Sequence, residues 1–258
     1  MSAIERFLEK HPVFSWDEFV NGLGEDRSES TLRSLIRNYL QSGKIGKVKS
    51  GLYYRGSETV PDKYLVGSKL AADGILGYHT AFELLGYAHS ESSAVYVLTQ
   101  SRVRPVQFQH IKYYPVSHPA PLTKDNQQMF GTEKIERFGL RVRITGKERT
   151  VVDTLDRLDY VGGMEELRRC LEKIPYLDFE ILESYLQHRD KKVLFAKVGF
   201  LLEQMREDWW VQEEWLDQLA TRIPQSPAYL SAEHRGQLLP RWNLIVPDTM
   251  LRPLGESA

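Results

Sequence analysis

The sequence has little cysteine, no long apolar run and no closely spaced metal ligands. Its one cysteine, Cys170, precludes an internal disulfide. Within Glu166-Leu167-Arg168-Arg169-Cys170-Leu171 it reads as a buried structural thiol on a helix. No stretch approaches the roughly 18–20 apolar residues of a membrane span. The opening Met1-Ser2-Ala3-Ile4-Glu5-Arg6 lacks the basic start and apolar run of a secretory signal. These absences set the expectation of a cytoplasmic chain with no membrane partner.

Catalytic signatures are missing too. The histidines, at positions 11, 79, 89, 110, 118, 188 and 234, are scattered, and neither His-x-x-x-His nor Cys-x-x-Cys occurs. No metal and no cofactor is therefore expected. His79 reads as a residue that caps or packs at a helix start. There is no Gly-x-Ser-x-Gly elbow, and Gly146-Lys147 lacks the upstream glycine of a phosphate loop. Gly22-Leu23-Gly24 reads as a loop between helices, not a dinucleotide fingerprint. The best case for an enzyme is a metal-dependent nuclease built on Asp190-Lys191-Lys192. That acid-x-Lys pair falls between helical segments, so a solvated turn is favoured, and no catalytic residue is assigned.

What is present is an uneven distribution of charge. The net charge of −1 over 258 residues hides it. From Thr31 to Arg55 there are six basic residues and no acid; from Thr99 to Arg149 there are ten basic against four acidic. From Leu201 onward the balance reverses, with nine acids and five bases. Basic stretches beside an acidic end suggest polyanion binding at one place and another role elsewhere.

The acid-free stretch coincides with a recognisable pattern. Ala3 to Lys10 predicts a short helix closed by His11-Pro12. Ser15 predicts the N-cap of a second, starting Trp16-Asp17-Glu18. A third runs from near Ser28 through Leu40. Its Leu32, Leu35, Ile36, Tyr39 and Leu40 form one apolar stripe. The opposite stripe holds Ser30, Arg33, Ser34, Arg37 and Asn38, the residue types that read guanine and adenine edges in a major groove. Gly43 marks its end. Lys44 through Arg55 then reads as a basic hairpin turning at Lys49-Ser50-Gly51. Helix, helix, recognition helix and basic hairpin spell a winged helix-turn-helix over residues 1–56. The alternative is a small three-helix domain with a solvated basic face.

Residues 57–61 read as a linker. Residues 62–258 read as a larger mixed α/β domain, helical from about 146. Helices are expected at Asp62 to Ala72, Thr80 to Leu85, Arg149 to Leu155, Met164 to Glu172, Asp178 to Gln187 and Val193 to Arg206. Strands are expected at Ala94 to Thr99, Ile111 to Val116 and Gly139 to Thr145. Thr145 and Glu148 have the spacing of a capping box. The fold class is α+β. Trp209, Trp210 and Trp215, in an acidic segment, read as local packing, with a docking face as the alternative.

Several motifs together bring a family into view: "LQSGKIGKVKSGLYYR" at 40–55, "GYHTAFELLG" at 77–86, "ITGKERTVVDTLDRLDYVGG" at 144–163 and "GQLLPRWNLIVP" at 236–247. In this order they resemble the AbiEi-type antitoxins, the regulatory half of a bacterial toxin–antitoxin and abortive-infection system. The resemblance covers nearly the whole chain, apart from the acidic, Trp-rich segment after Met205. It implies a repressor of its own promoter, bound at inverted repeats in double-stranded DNA. It also implies neutralisation of a nucleotidyltransferase toxin through the C-terminal domain, without requiring a stable complex. The expected DNA contacts are Arg33, Ser34, Arg37 and Asn38 in the groove and Lys47, Lys49 and Tyr53 on the wing. Arg27, Lys44 and Arg55 are expected at phosphates, and Arg141 and Arg143 form a possible second basic surface. A winged-helix regulator that senses a ligand or protein, with no toxin, is the competing expectation.

Overall fold

The computed structural model describes residues 2–23, 27–56, 60–232 and 235–251. Gly24, His234 and linker positions 57–59 lie outside the described residues. In chain order the elements are α1 (Ala3–Lys10), β1 (Val13–Ser15), α2 (Trp16–Leu23), α3 (Glu29–Gln41), β2 (Ile45–Lys49), β3 (Leu52–Arg55), α4 (Lys63–Ser68), β4 (Ile75–Leu76) and α5 (His79–Leu85). There follow β5 (Ala94–Thr99), β6 (Val106–Phe108), β7 (Ile111–Ser117), α6 (Ala120–Lys124), β8 (Thr132–Arg137), β9 (Leu140–Thr145) and α7 (Lys147–Asp156). The chain continues through α8 (Met164–Leu171), α9 (Phe179–Arg189), α10 (Lys192–Gln204) and α11 (Glu213–Ala220) to β10 (Ala228–Tyr229), β11 (Gln237–Leu239) and β12 (Leu244–Val246). The architecture is α+β, in two compact units: residues 1–76, 93–117 and 133–144, and residues 77–92, 118–132 and 145–258.

In the first unit, α1, α2 and α3 surround a core of Ile4, Phe7, Leu8, Phe14, Phe19, Leu23, Leu32, Ile36 and Ile45. Each helix start is chemically specified. Ser2 and Glu5 form a capping box at α1, and Ser15 and Glu18 do the same at α2. Ser28 Oγ accepts from Thr31 N at the start of α3. Strands β1, β3 and β2 form an antiparallel sheet in that order, with Phe14 opposite Tyr53 and Lys47 opposite Tyr53 on the far side. β1 is absent from the sequence-based expectation because three residues carry too little periodicity to register.

The same unit contains a six-stranded mixed sheet of order β6-β7-β5-β4-β9-β8. β5 pairs in parallel with β7, Ala94 to Thr99 against Lys112 to Ser117. Pro115 lies inside β7, which runs one residue beyond the expected end at Val116. β6 pairs only with residues 111–113, so β7 is an edge at Pro115, where a missing N–H is tolerated. The expected helix at 62–72 stops at Ser68. Asp62 caps it and also pairs with Arg137 at 2.6 Å. Strands β4, β6 and β8 went unrecognised. β8 and β9 join through Phe138-Gly139, both at positive φ, the turn geometry of a tight hairpin. Residues 1–56 thus share a compact unit with these strands.

The second unit is built on α7, which is buried from Glu148 to Leu155 on every side. The expected capping box there does not form. Thr145 is the last residue of β9, fully buried, and its hydroxyl meets that of Thr150 at 2.7 Å. Glu148 instead accepts from the Asp178 amide at 2.9 Å. Two arginines and a tyrosine converge on Asp153: Arg149 Nε at 3.2 Å, Arg189 Nη1 at 2.5 Å and Tyr185 Oη at 2.7 Å. Arg149 also donates to the carbonyls of Gln128 and Phe130, both at 2.7 Å.

The chain end departs from the expected helix. After α11, strands β10, β12 and β11 form a small sheet. Pro240 and Asn243, the latter at φ 45°, break helical geometry between β11 and β12. Trp242, fully buried, lies on Gly199 of α10 and donates to Glu203 at 2.6 Å. Trp209 is buried with its indole N–H on the Ile174 carbonyl, and Trp215 packs beside Phe179, whereas Trp210 is 77% exposed. The expected local packing therefore holds for two of the three.

Asp153→Ala leaves two buried guanidiniums short of an anion and should cost about 3–5 kcal/mol. Urea unfolding followed by circular dichroism measures it, and an unchanged midpoint would refute the assignment. Gly199→Ala would place a methyl 2.0 Å from the Trp242 ring. Despite alanine's better helix propensity it should destabilise by about 1–3 kcal/mol. A stabilised variant in thermal unfolding would show that the ring is not seated there.

Candidate nucleic-acid interface

The apolar stripe of α3 faces inward, with Leu32 and Ile36 buried and Leu35, Tyr39 and Leu40 half-buried against the same core. By helical geometry the other face is then left to solvent. Arg33, Ser34, Arg37 and Asn38 are all exposed. They are not chemically equivalent. Arg33 pairs with Glu29 one turn back, at 2.5 Å, and its guanidinium lies 5.0 Å from the Trp16 ring centroid. Ser34 donates to the Ser30 carbonyl. Arg37 makes no ion pair among the described residues, so its five donors are uncommitted. The Arg33–Glu29 pair is exposed on both sides, and such pairs contribute about 0–1 kcal/mol, so a phosphate or base edge can displace the carboxylate.

The β2–β3 hairpin turns at Ser50-Gly51, with Gly51 at φ 79°. Lys47 is exposed on one strand, and Lys49 is half-buried beyond a register shift between the two lysines. Arg55 and Lys44 are exposed at the base, with the Lys44 ammonium 5.2 Å from the Tyr39 ring centroid. Two expected contacts are engaged elsewhere. Tyr53 is half-buried with its ring stacked 5.7 Å from Phe14. Arg27 donates to the Leu23 carbonyl at 2.9 Å and so closes the end of α2. The cation–π contact at Trp16 was not foreseen, because it joins two helices that sequence spacing does not relate.

On β9, Val142 and Ile144 are buried while Arg141 is exposed and Arg143 half-buried. This is the alternation the sequence announces. The neighbouring strand β8 carries exposed Glu133, Lys134 and Glu136, so charges of both signs flank the arginines of β9. The first unit carries 18 Lys and Arg against 12 Asp and Glu, a net of +6. The second carries 16 against 23, a net of −7. The near-neutral chain is thus a basic unit joined to an acidic one. The α3 face and hairpin belong to the basic unit. Asp190 sits in a left-handed turn between α9 and α10, and Lys191 is paired with Asp156.

No family model matches the chain, and no curated protein matches it. Among solved structures it is similar to the RV2827C protein from Mycobacterium tuberculosis. The TM-score is 0.59 at 16% identity, covering 95% of this chain and 90% of that one. At this identity the likeness establishes a shared fold over nearly the whole length. Among the described residues, no helix is long and apolar enough to cross a membrane.

Arg37→Ala should reduce discrimination between promoter DNA and random duplex by about 1–3 kcal/mol, the worth of one bidentate base contact. Lys49→Ala should weaken both duplexes alike and lower the salt slope by about one unit. Fluorescence anisotropy against salt concentration separates the two. Wild-type behaviour in both variants would rule out this face as the interface.

Proposed function

We propose that this chain is an antitoxin and transcriptional autorepressor whose N-terminal winged helix binds inverted repeats in its own promoter. Its second, acidic unit contributes to neutralising a nucleotidyltransferase toxin. The carrying observation is the solvent-facing stripe of Arg33, Ser34, Arg37 and Asn38 on α3, where Arg37 makes no ion pair among the described residues, beside a basic hairpin in a unit of net +6. Supercoiled or relaxed DNA presents a dense polyanion to which such a surface is attracted without sequence preference. Sequence preference is then supplied by the groove-facing stripe. The order of the motifs, resembling the AbiEi-type antitoxins, supports the toxin half of the reading. The protein is then a cytoplasmic regulator and not an enzyme.

The test is co-expression with the product of the neighbouring gene, which this reading expects to be a nucleotidyltransferase, scoring growth and promoter activity together. Residues 1–56 share a unit with the six-stranded sheet, so substitutions serve better than a deletion. The full chain should restore growth and silence the promoter. A chain carrying Arg37→Ala and Lys49→Ala should restore growth while the promoter stays active. Failure of the full chain to restore growth sinks the antitoxin reading; silencing by the double variant sinks the DNA reading.

A further inference from the structure

The second unit brings together three side chains that no spacing in the sequence relates. His79 is the first residue of α5, and Glu166 and Cys170 lie one turn apart on α8. His79 Nε2 is 3.1 Å from Glu166 Oε1, and Cys170 Sγ is 3.6 Å from the same oxygen. All three ligand atoms lie within 4.8 Å of one another. His79 and Cys170 are buried, and the Glu166 side chain is 14% exposed.

These separations can be compared with those a metal would impose. Zinc bonds of about 2.3 Å to sulfur and about 2.0–2.1 Å to nitrogen and oxygen, at tetrahedral angles, put S···O at about 3.5 Å and N···O at about 3.3 Å. The observed 3.6 and 3.1 Å are close to both. We propose that His79, Glu166 and Cys170 form a binding site for a borderline-soft divalent cation of the zinc type.

The surroundings suit that use. The backbone amides of His89 and Ser90 donate to Glu166 Oε1 at 3.2 and 3.1 Å, fixing the carboxylate as partners of a metal ligand commonly do. His79 Nδ1 has no hydrogen-bond partner among the described residues, so no second contact there pins the tautomer. On binding, the Nε2 proton is free to move to Nδ1 while Nε2 takes the metal. The thiol proton of Cys170 passes to solvent, and sulfur binds as thiolate. The preceding residue, Tyr78, holds φ 56° and ψ −138°, a conformation that costs a non-glycine residue about 1–3 kcal/mol. That strain sits where the chain turns to present His79. Sulfur among the ligands argues against magnesium or calcium, which take oxygen. Three protein ligands leave one tetrahedral position for water or a further group. A cation here would tie α5, the 87–92 loop and α8 together, independently of DNA binding.

The full chain, purified and incubated with zinc and then desalted, should retain one zinc per chain by elemental analysis. Replacement by cobalt should give a near-ultraviolet thiolate-to-cobalt charge-transfer band. Cys170→Ser, close in volume to the thiol, should abolish the band and drop retained zinc to near zero, while Arg37→Ala keeps both. If Cys170→Ser loses its circular dichroism, His79→Gln provides the same readout with sulfur intact, and zinc should then no longer raise the unfolding midpoint. Absence of retained metal in the wild type overturns the proposal. So does a cobalt band that persists in the variants, since the metal would then lie elsewhere.

Discussion

Asp153 is 1% exposed and accepts from Arg149, Arg189 and Tyr185 at once. An isolated carboxylate in that position would be expelled or neutralised. Burial raises the Tyr185 phenol well above its ordinary range, so it remains a donor. Arg189 reaches on to Asp156, itself held ionised against burial by Lys191 and Arg189. Arg149 Nη1 donates to the carbonyls of Gln128 and Phe130, and its Nη2 lies 3.4 Å from His118 Nδ1. Segments distant in sequence are thereby bound to one helix, α7. Such a network contributes less net energy than its contacts suggest, because desolvation opposes them. Its effect is directional: α7, α9 and the 127–131 segment are held by donors that converge on one carboxylate and two carbonyls, although Arg189 Nε has no hydrogen-bond partner among the described residues.

The first unit follows a different logic. Its N-terminal part is specified locally, helix by helix, through serine caps and apolar stripes. Glu18 and Lys69 then pair, and Tyr54 meets Phe108 edge-on, linking those helices to the strand-bearing part of the same unit. The inward face of α3 is fixed by this packing, and the outward face follows from it. Function in such a design rests on what is left over after the core is filled. Arg37 remains uncommitted on α3, whereas Arg33, Arg27 and Tyr53 have structural partners.

Legibility from sequence tracks the range of the interactions. Helices α1 to α3, strands β5 and β9 and the β2–β3 hairpin were readable because caps, periodicity and turn residues lie within a few positions of one another. Strands β1, β4 and β6 are not, since two or three residues give no period to count, and six-residue β8 is not because Ile135 is its one apolar residue. The Thr145–Glu148 spacing misled because tertiary contacts claimed both side chains. Absence of a spaced motif says nothing of ligands drawn from α5 and α8.

The sequence by itself determined the acid-free basic segment, the apolar faces of its helices and their capping, because these depend on neighbours in the chain. Tertiary structure alone decided which basic side chains stay uncommitted, which charges are buried around Asp153, and that His79 meets Glu166 and Cys170. Those outcomes depend on distances between segments up to about ninety residues apart in the chain, set by loop closure and core packing rather than by local propensity.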